Sequence, residues 1–341
     1  MTRSYPLVID AFSHITPPKY LEALGKVSPK FSAQNVNPTQ PVSRPLYDLD
    51  YRFRIMDRFD GLEQVLTLGF PAIEEIADPE KTEYLAKLVN DEMAELVLDY
   101  PDRFVAAIAY LPMHNVDAAL KEADRAMKDL KCKGVYINSH INGKPLDSPE
   151  FMPLYEKMSK YNLPIYIHPH RNKDFPDYQT EKESKYDINS VFGWVYDTTV
   201  AMSRLIFSGV LENYPNLKIV THHCGGMVPY LEQRIIQHYS KNEMVYKVDY
   251  MNGLSKAPIE YYKMFYTDTA IHGNTLALMG AHSFYGADRL LFAADMPLGD
   301  RQFGSRSYRL TMNAIEAMDI AENDKRKIFN DNARRLLRLP I

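Results

Sequence analysis

Residues 165–171 read IYIHPHR and residues 218–226 read KIVTHHCGG. Each is a short apolar run, rich in β-branched or aromatic residues, that ends on histidine. Such a run bounded by Pro, Gly or Asn predicts a buried strand, here Ile165–His168 and Lys218–His222. The same pattern recurs at Leu7–Phe12, Gln64–Leu68, Phe104–Ala109, Gly134–Asn138, Phe265–Asp268 and Leu290–Ala294, which brings the strand runs to eight. Helical periodicity fills the intervals. Asp78–Leu98 opens with Asp-Pro-Glu, a start signal, and repeats apolar residues at three- and four-residue spacing. Val116–Leu130, Pro149–Tyr161, Thr198–Glu212 and Met227–His238 follow the same rule. Repeated strand–helix pairs require parallel strands and right-handed crossovers, and eight of them close a cylinder. The expected fold is α/β, a (β/α)8 TIM barrel forming one domain over residues 1–341.

Two polar stretches break the rhythm: Lys26–Tyr47 after the first strand and Asn172–Ser190 after the fifth. Both follow the C-terminal end of a strand, where barrels of this kind carry their active sites, so both are expected as lids or walls of the mouth. The 341 residues carry 45% apolar and 25% charged side chains and a net charge of −4. That balance suits a globular core and gives no basic surface for nucleic acid. No apolar run reaches the roughly 18–20 residues of a membrane span. Cys132 and Cys224 are the only cysteines. A disulfide framework is not expected, and a cytoplasmic location is.

The chemistry gathers at strand ends. His14 lies just past the first strand, His168 ends the fifth, His222 and His223 end the sixth, and Asp295 follows the eighth. Imidazole nitrogens with a carboxylate are ligands for zinc, manganese or iron, and three protein ligands with an open position define a catalytic site.

With these residues in view, the chain resembles the metal-dependent amidohydrolase superfamily, in the amidohydrolase-related branch that holds aminocarboxymuconate semialdehyde and gamma-resorcylate decarboxylases. The stretches that carry the resemblance are IDAFSHITP (9–17), LPIYIHPH (163–170), the long segment 197–235 through THHCGG, LLFAADMP (290–297) and NARRLLRL (332–339). The resemblance implies His14, His168 and Asp295 as metal ligands. It makes His223, in register with Gly225, Gly226, Pro229, Tyr230 and Arg234, the strand-six histidine that works as general acid or base together with Asp295. With no lysine in VYINSH (135–140), it implies a single divalent ion, zinc by expectation, with manganese or iron as alternatives. Relatives are commonly dimers or larger, so a homodimer or higher homo-oligomer is expected.

One position departs from the family pattern. Where relatives carry His-x-His or Glu-x-His, this chain has Phe12-Ser13-His14. Phe12 cannot bind a metal, and Asp10, two residues earlier on the same strand face, could reach one only through a bulge. The expected outcome is a site of two histidines and one carboxylate completed by water or substrate. The expected function is decarboxylation of a small aromatic or unsaturated carboxylic acid. The alternatives are metal-dependent hydrolysis of a lactone, ester or amide, or a non-catalytic binding protein on a degenerate barrel. Arg171, His170, Trp194 and Asn138 are the candidate substrate-binding residues. Asp268, ending the seventh strand, is a candidate to orient His223 or touch substrate.

Overall fold

Each of the eight strand runs has a counterpart in the computed structural model, which describes residues 7–29, 44–69, 71–246, 250, 253–297 and 304–340. They are β1 (Val8–Ile15), β2 (Leu62–Leu68), β3 (Phe104–Ala107) continued by β4 (Ala109–Tyr110), and β5 (Val135–Asn138). A short antiparallel pair, β6 (His140–Ile141) and β7 (Lys144–Pro145), follows. Then come β8 (Ile165–His168), β9 (Ile219–Thr221), β10 (Tyr266–Asp268) and β11 (Leu290–Leu291). Every ladder around the ring is parallel. The ladders form two arcs, β1-β2-β3 and β4-β5-β8-β9-β10-β11. Between the segment after β11 and β1, single backbone bonds replace a ladder: Ala11 N–H donates to Phe292 O (2.8 Å) and His14 N–H to Met296 O (3.0 Å). The architecture is the α/β TIM barrel expected, with a ring that no continuous ladder closes.

The strands are apolar along their length because both faces are covered; all four residues of β8 are buried. The helices carry local start signals. Asp78 caps Pro79–Asp99 by accepting from Lys81 N–H, and Pro79 takes the first helical turn, where its missing N–H costs nothing. Leu85, Val89, Met93 and Leu96 form its buried stripe. The helix read as Thr198–Glu212 is two helices, Trp194–Phe207 and Val210–Asn213, broken at Gly209 with φ +80°. The one read as Met227–His238 begins after a 3-10 turn at Pro229–Leu231 and runs over Glu232–Tyr246.

Of the first insertion, residues 30–43 lie outside the described residues. The second, after β8, is described, and side-chain bonds tie it down in place of regular structure. Asp177 accepts from Ser184 Oγ (2.7 Å) and Lys185 N–H (2.9 Å), and Asn172 Nδ2 donates to the Glu75 carboxylate at 3.2 and 3.3 Å.

β1 does not alternate regularly. Asp10 pairs with Gln64 and Ser13 with Leu66, so Ala11 and Phe12 together oppose Val65. This bulge re-aims the residues on either side of it. Phe12 packs between Tyr136, Tyr166, His168 and His222. Asp10, expected on the Phe12 face, is instead engaged elsewhere: its Oδ1 accepts from Phe12 N–H (3.1 Å) and its Oδ2 from the Tyr308 hydroxyl (2.6 Å). A bulge forms, yet it does not deliver Asp10 as a ligand.

Tyr308 also accepts from Gln64, whose Oε1 accepts from Arg52 Nε (2.7 Å). The Arg52 guanidinium is wholly buried and also donates to Ser13 Oγ (2.7 Å), His14 O (2.7 Å) and Pro45 O (3.1 Å). The helices Leu49–Met56 and Ser305–Glu316 are thereby bolted to β1 and β2 on both sides of the bulge. We expect Arg52→Ala to cost roughly 3 kcal/mol or more, because it opens a cavity and leaves several buried acceptors unpaired; urea unfolding measures this. Burial raises the Asp10 carboxyl to about 6, although the Tyr308 hydroxyl and Phe12 N–H bonds oppose the rise. A folded value above the unfolded one means that this group favours folding while protonated. Its penalty therefore grows from about pH 4 to about pH 6 and reaches roughly 3 kcal/mol above that. Asp10→Asn should remove this slope from the stability–pH curve, and an unchanged slope would show that the group carries no such penalty.

Candidate metal centre

Three histidines are prepared in the same way. His14 Nδ1 lies 3.1 Å from Leu68 O, and His168 Nδ1 lies 2.7 Å from Pro169 O. A carbonyl oxygen only accepts, so both Nδ1 atoms carry the proton and both Nε2 atoms present a lone pair. His222 Nδ1 meets the Asp268 carboxylate and so falls into the same tautomer when neutral. A histidine whose far nitrogen is tied to a carbonyl or carboxylate is the usual arrangement of a metal ligand.

The presented atoms converge. His14 Nε2 and His222 Nε2 lie 3.2 and 3.3 Å from Asp295 Oδ1. The ligand atoms of His14, His168 and His222 lie within 4.8 Å of one another, as do those of His222, His223 and Asp295. Two ligands each about 2.0–2.1 Å from one ion, at octahedral or tetrahedral angles, stand about 2.9–3.4 Å apart. The Asp295–His14 and Asp295–His222 spacings fall in that range. His14, His168, His222 and Asp295 are all buried. Several nitrogen lone pairs around one carboxylate oxygen in a buried pocket form a donor set for a divalent cation.

His223 sits differently. Its Nε2 lies 3.7 Å from Asp295 Oδ2, its Nδ1 is buried without a hydrogen-bond partner among the described residues, and Trp194 stacks on its ring at 5.8 Å. Adjacent residues of a strand point to opposite faces, so His222 and His223 reach one pocket only because the strand ends at Thr221. His223, Cys224, Gly225 and Gly226 all have positive φ, at 55°, 58°, 75° and 64°. A Cβ on Gly225 would lie 2.3 Å from the Tyr285 hydroxyl, and one on Gly226 2.6 Å from Val195 O. The Gly-Gly pair is thus what lets the turn pack under the helix Trp194–Phe207. Asp268, a candidate partner for His223, engages His222 instead and also accepts from Cys224 N–H (3.2 Å). Both cysteines are free, in line with the expectation of no disulfide framework, and both are buried.

Electrostatics follow from this packing. Burial alone would raise Asp295, but the facing imidazoles of His14, His222 and His223 outweigh it and hold the carboxyl well below its ordinary range. Burial opposes charge on His222, yet Asp268 and Asp295 together lift it to about 10. Burial, then the neighbouring His222, keeps His168 and His223 low.

The candidate substrate residues divide. Asn138, at the end of β5, lines a narrow cavity of about 10 Å³ with His14, Tyr136, His168 and His170, and its Nδ2 donates to the Tyr110 hydroxyl (3.0 Å). His170 faces the same cavity, although its Nε2 already meets Glu75 Oε1 at 2.7 Å. Arg171 is engaged by Asp197 (3.2 Å) and lies over the Phe175 ring at 5.0 Å. Trp194 walls the histidines, and its indole N–H donates to Arg171 O (3.1 Å). The sequence reading missed Glu75 and Phe175, which pin His170 and Arg171, and it set His222 aside. For His222 a signal was present: a second histidine beside the first, with Asp268 ending the neighbouring strand.

A family described as amidohydrolase matches residues 44–339. Gamma-resorcylate decarboxylase of Rhizobium sp. (strain MTP-10005) is 30% identical over 306 residues, covering 85% of this chain and 87% of that one. The 2-amino-3-carboxymuconate-6-semialdehyde decarboxylase of Dictyostelium discoideum is 28% identical over 296 residues, covering 86% and 77%. A solved structure of a dihydroxybenzoic acid decarboxylase from Polaromonas sp. JS666, with bound manganese and the inhibitor 2-nitroresorcinol, superposes with a TM-score of 0.78 at 26% identity, covering 98% and 97%. The match over residues 44–339, together with these strand-end histidines and Asp295, establishes that the chain belongs to the amidohydrolase family.

Proposed function

We propose that this protein is a metal-dependent decarboxylase of hydroxybenzoic acids whose carboxylate stands next to a ring hydroxyl. The observation that carries the proposal is the meeting of preset imidazole nitrogens on Asp295 Oδ1, with His223 at the opposite oxygen of the same carboxylate. The relatives named above support the reaction and substrate class. Hydrolysis has no observation in its favour beyond the family name.

His14, His168 and Asp295 would hold the ion. When bound, it supplies positive charge to draw in a carboxylate and its neighbouring hydroxyl. Manganese, bound in the Polaromonas relative, is the first ion to test, and zinc is the alternative that the donor set suits. His223 Nε2, 3.7 Å from Asp295 Oδ2, delivers the proton; the anionic Asp295 beside it favours protonation of the imidazole, against burial and the neighbouring His222. That proton bonds to the ring carbon bearing the carboxylate, the carbon–carbon electron pair returns to the ring, and carbon dioxide leaves. Water then restores the proton. Trp194 and Asn138 flank the ring, and His170 and Arg171, each paired with a carboxylate, form the outer wall. Exposed Val191, Phe192 and Tyr196, in the segment that carries Trp194, support a homodimer. Two buried, unpaired thiols suit a reducing, cytoplasmic location. Among the described residues no helix is long and apolar enough to cross a membrane.

Incubation with 2,6-dihydroxybenzoate should release carbon dioxide and change the ultraviolet spectrum. Chelation should cut the rate at least about 100-fold and added Mn²⁺ or Zn²⁺ should restore it. Full activity in metal-free protein, or hydrolysis of lactones with no attack on hydroxybenzoates, would overturn the reading. Asp295→Asn and His223→Asn should each lower kcat by about 100-fold or more while leaving thermal unfolding near that of the parent. Near-parental kcat in both would remove the proton-holding role.

A further inference from the structure

We infer that His222 is a metal ligand of this protein, taking over the coordination that Phe12 cannot provide. The inference rests on the metal-centre reading above and goes beyond it, since that reading needs only His14, His168 and Asp295.

Three independent features support it. The first is direction: His222 Nε2 stands 3.3 Å from Asp295 Oδ1, matching His14 Nε2 at 3.2 Å. Its ligand atom lies within 4.8 Å of those of His14 and His168, and His222 alone belongs to both groups of converging ligand atoms among the described residues. The second is support: Asp268 holds Nδ1, as carbonyls hold Nδ1 of His14 and His168, whereas His223 Nδ1 has no such partner. The third is its relation to Phe12. The two rings stack at 4.1 Å with an interplanar angle of 26°, so His222 lies directly against the residue that stands at the family's first ligand position. A phenyl ring there removes a donor and supplies an apolar face. An imidazole from the sixth strand end lies on that face and brings a donor back. The pair reads as an exchange of roles between neighbouring strand ends, and the resulting site is three histidines and one aspartate.

A competing role is that His222 is a permanent imidazolium clamped between Asp268 and Asp295, with no bond to the ion. The two roles differ in what the ion touches. Full-length protein loaded with Mn²⁺ alone should show three coordinated imidazole nitrogens by electron spin-echo modulation. His222→Gln should show two and bind Mn²⁺ at least about 100-fold more weakly, and Asp268→Asn should weaken binding about 10–100-fold. His223→Gln should keep three. In the Phe12→Glu/His222→Gly protein, tight Mn²⁺ binding should return with two imidazole nitrogens.

Two nitrogens in the parent protein, an unchanged count and affinity in His222→Gln, or loss of a nitrogen in His223→Gln would each overturn the assignment. If His222→Gln does not fold, the parent and His223→Gln counts decide. Failure here separates cleanly from failure of the proposed reaction. Two nitrogens with carbon dioxide release leaves the decarboxylase standing and removes His222. Three nitrogens with no acid turned over does the reverse. A parent protein that takes up no Mn²⁺ removes the ligand assignment whatever its activity.

Discussion

Asp295 is a buried carboxylate faced by His14, His222 and His223, and the rest of the pocket is arranged around its needs. An isolated charge at such depth would be intolerable, and the usual escape is protonation. Here the imidazoles hold it ionised. His14, His168 and His222 are themselves fixed from behind, by Leu68 O, Pro169 O and Asp268 respectively. These supports come from β2, from the chain leaving β8, and from β10, so the barrel is the device that brings separate strand ends to one carboxylate.

The same logic explains the bulge in β1. His14 has to sit over the pocket while its backbone is gripped from outside, and Arg52 does the gripping through His14 O and Ser13 Oγ. A buried guanidinium needs every donor met. Gln64, Tyr308 and Asp10 supply or relay the required groups. Asp10 is thereby committed to support and unavailable to an ion. The polar network behind β1 and the donor set in front of it are two sides of one strand.

How much of this was legible in the sequence follows from what each feature depends on. Strand and helix positions depend on local periodicity, and they were readable to within a few residues, save where Gly209 and the turn at Pro229 split or delay a helix. That His14, His168 and Asp295 share a rim was readable because barrel topology places strand C-termini together. His222 was legible only as a second histidine beside the first with Asp268 ending the neighbouring strand, a signal outweighed by the family register, which counts from the Gly-Gly pair to His223 alone. Four successive positive-φ residues turn both rings inward, and no periodicity encodes that. The partners of Arg171 and His170 were equally hidden: Asp197 and Glu75 lie 26 and 95 positions away in the chain, and only folding makes them neighbours.

Phe12 has one more consequence. With Tyr136 and Tyr166 it paves the inner side of the histidine cluster with ring carbon. Ring carbon in that position keeps the imidazoles from sinking towards the barrel axis, so the donor set is propped at the mouth by packing from beneath as well as by hydrogen bonds from behind.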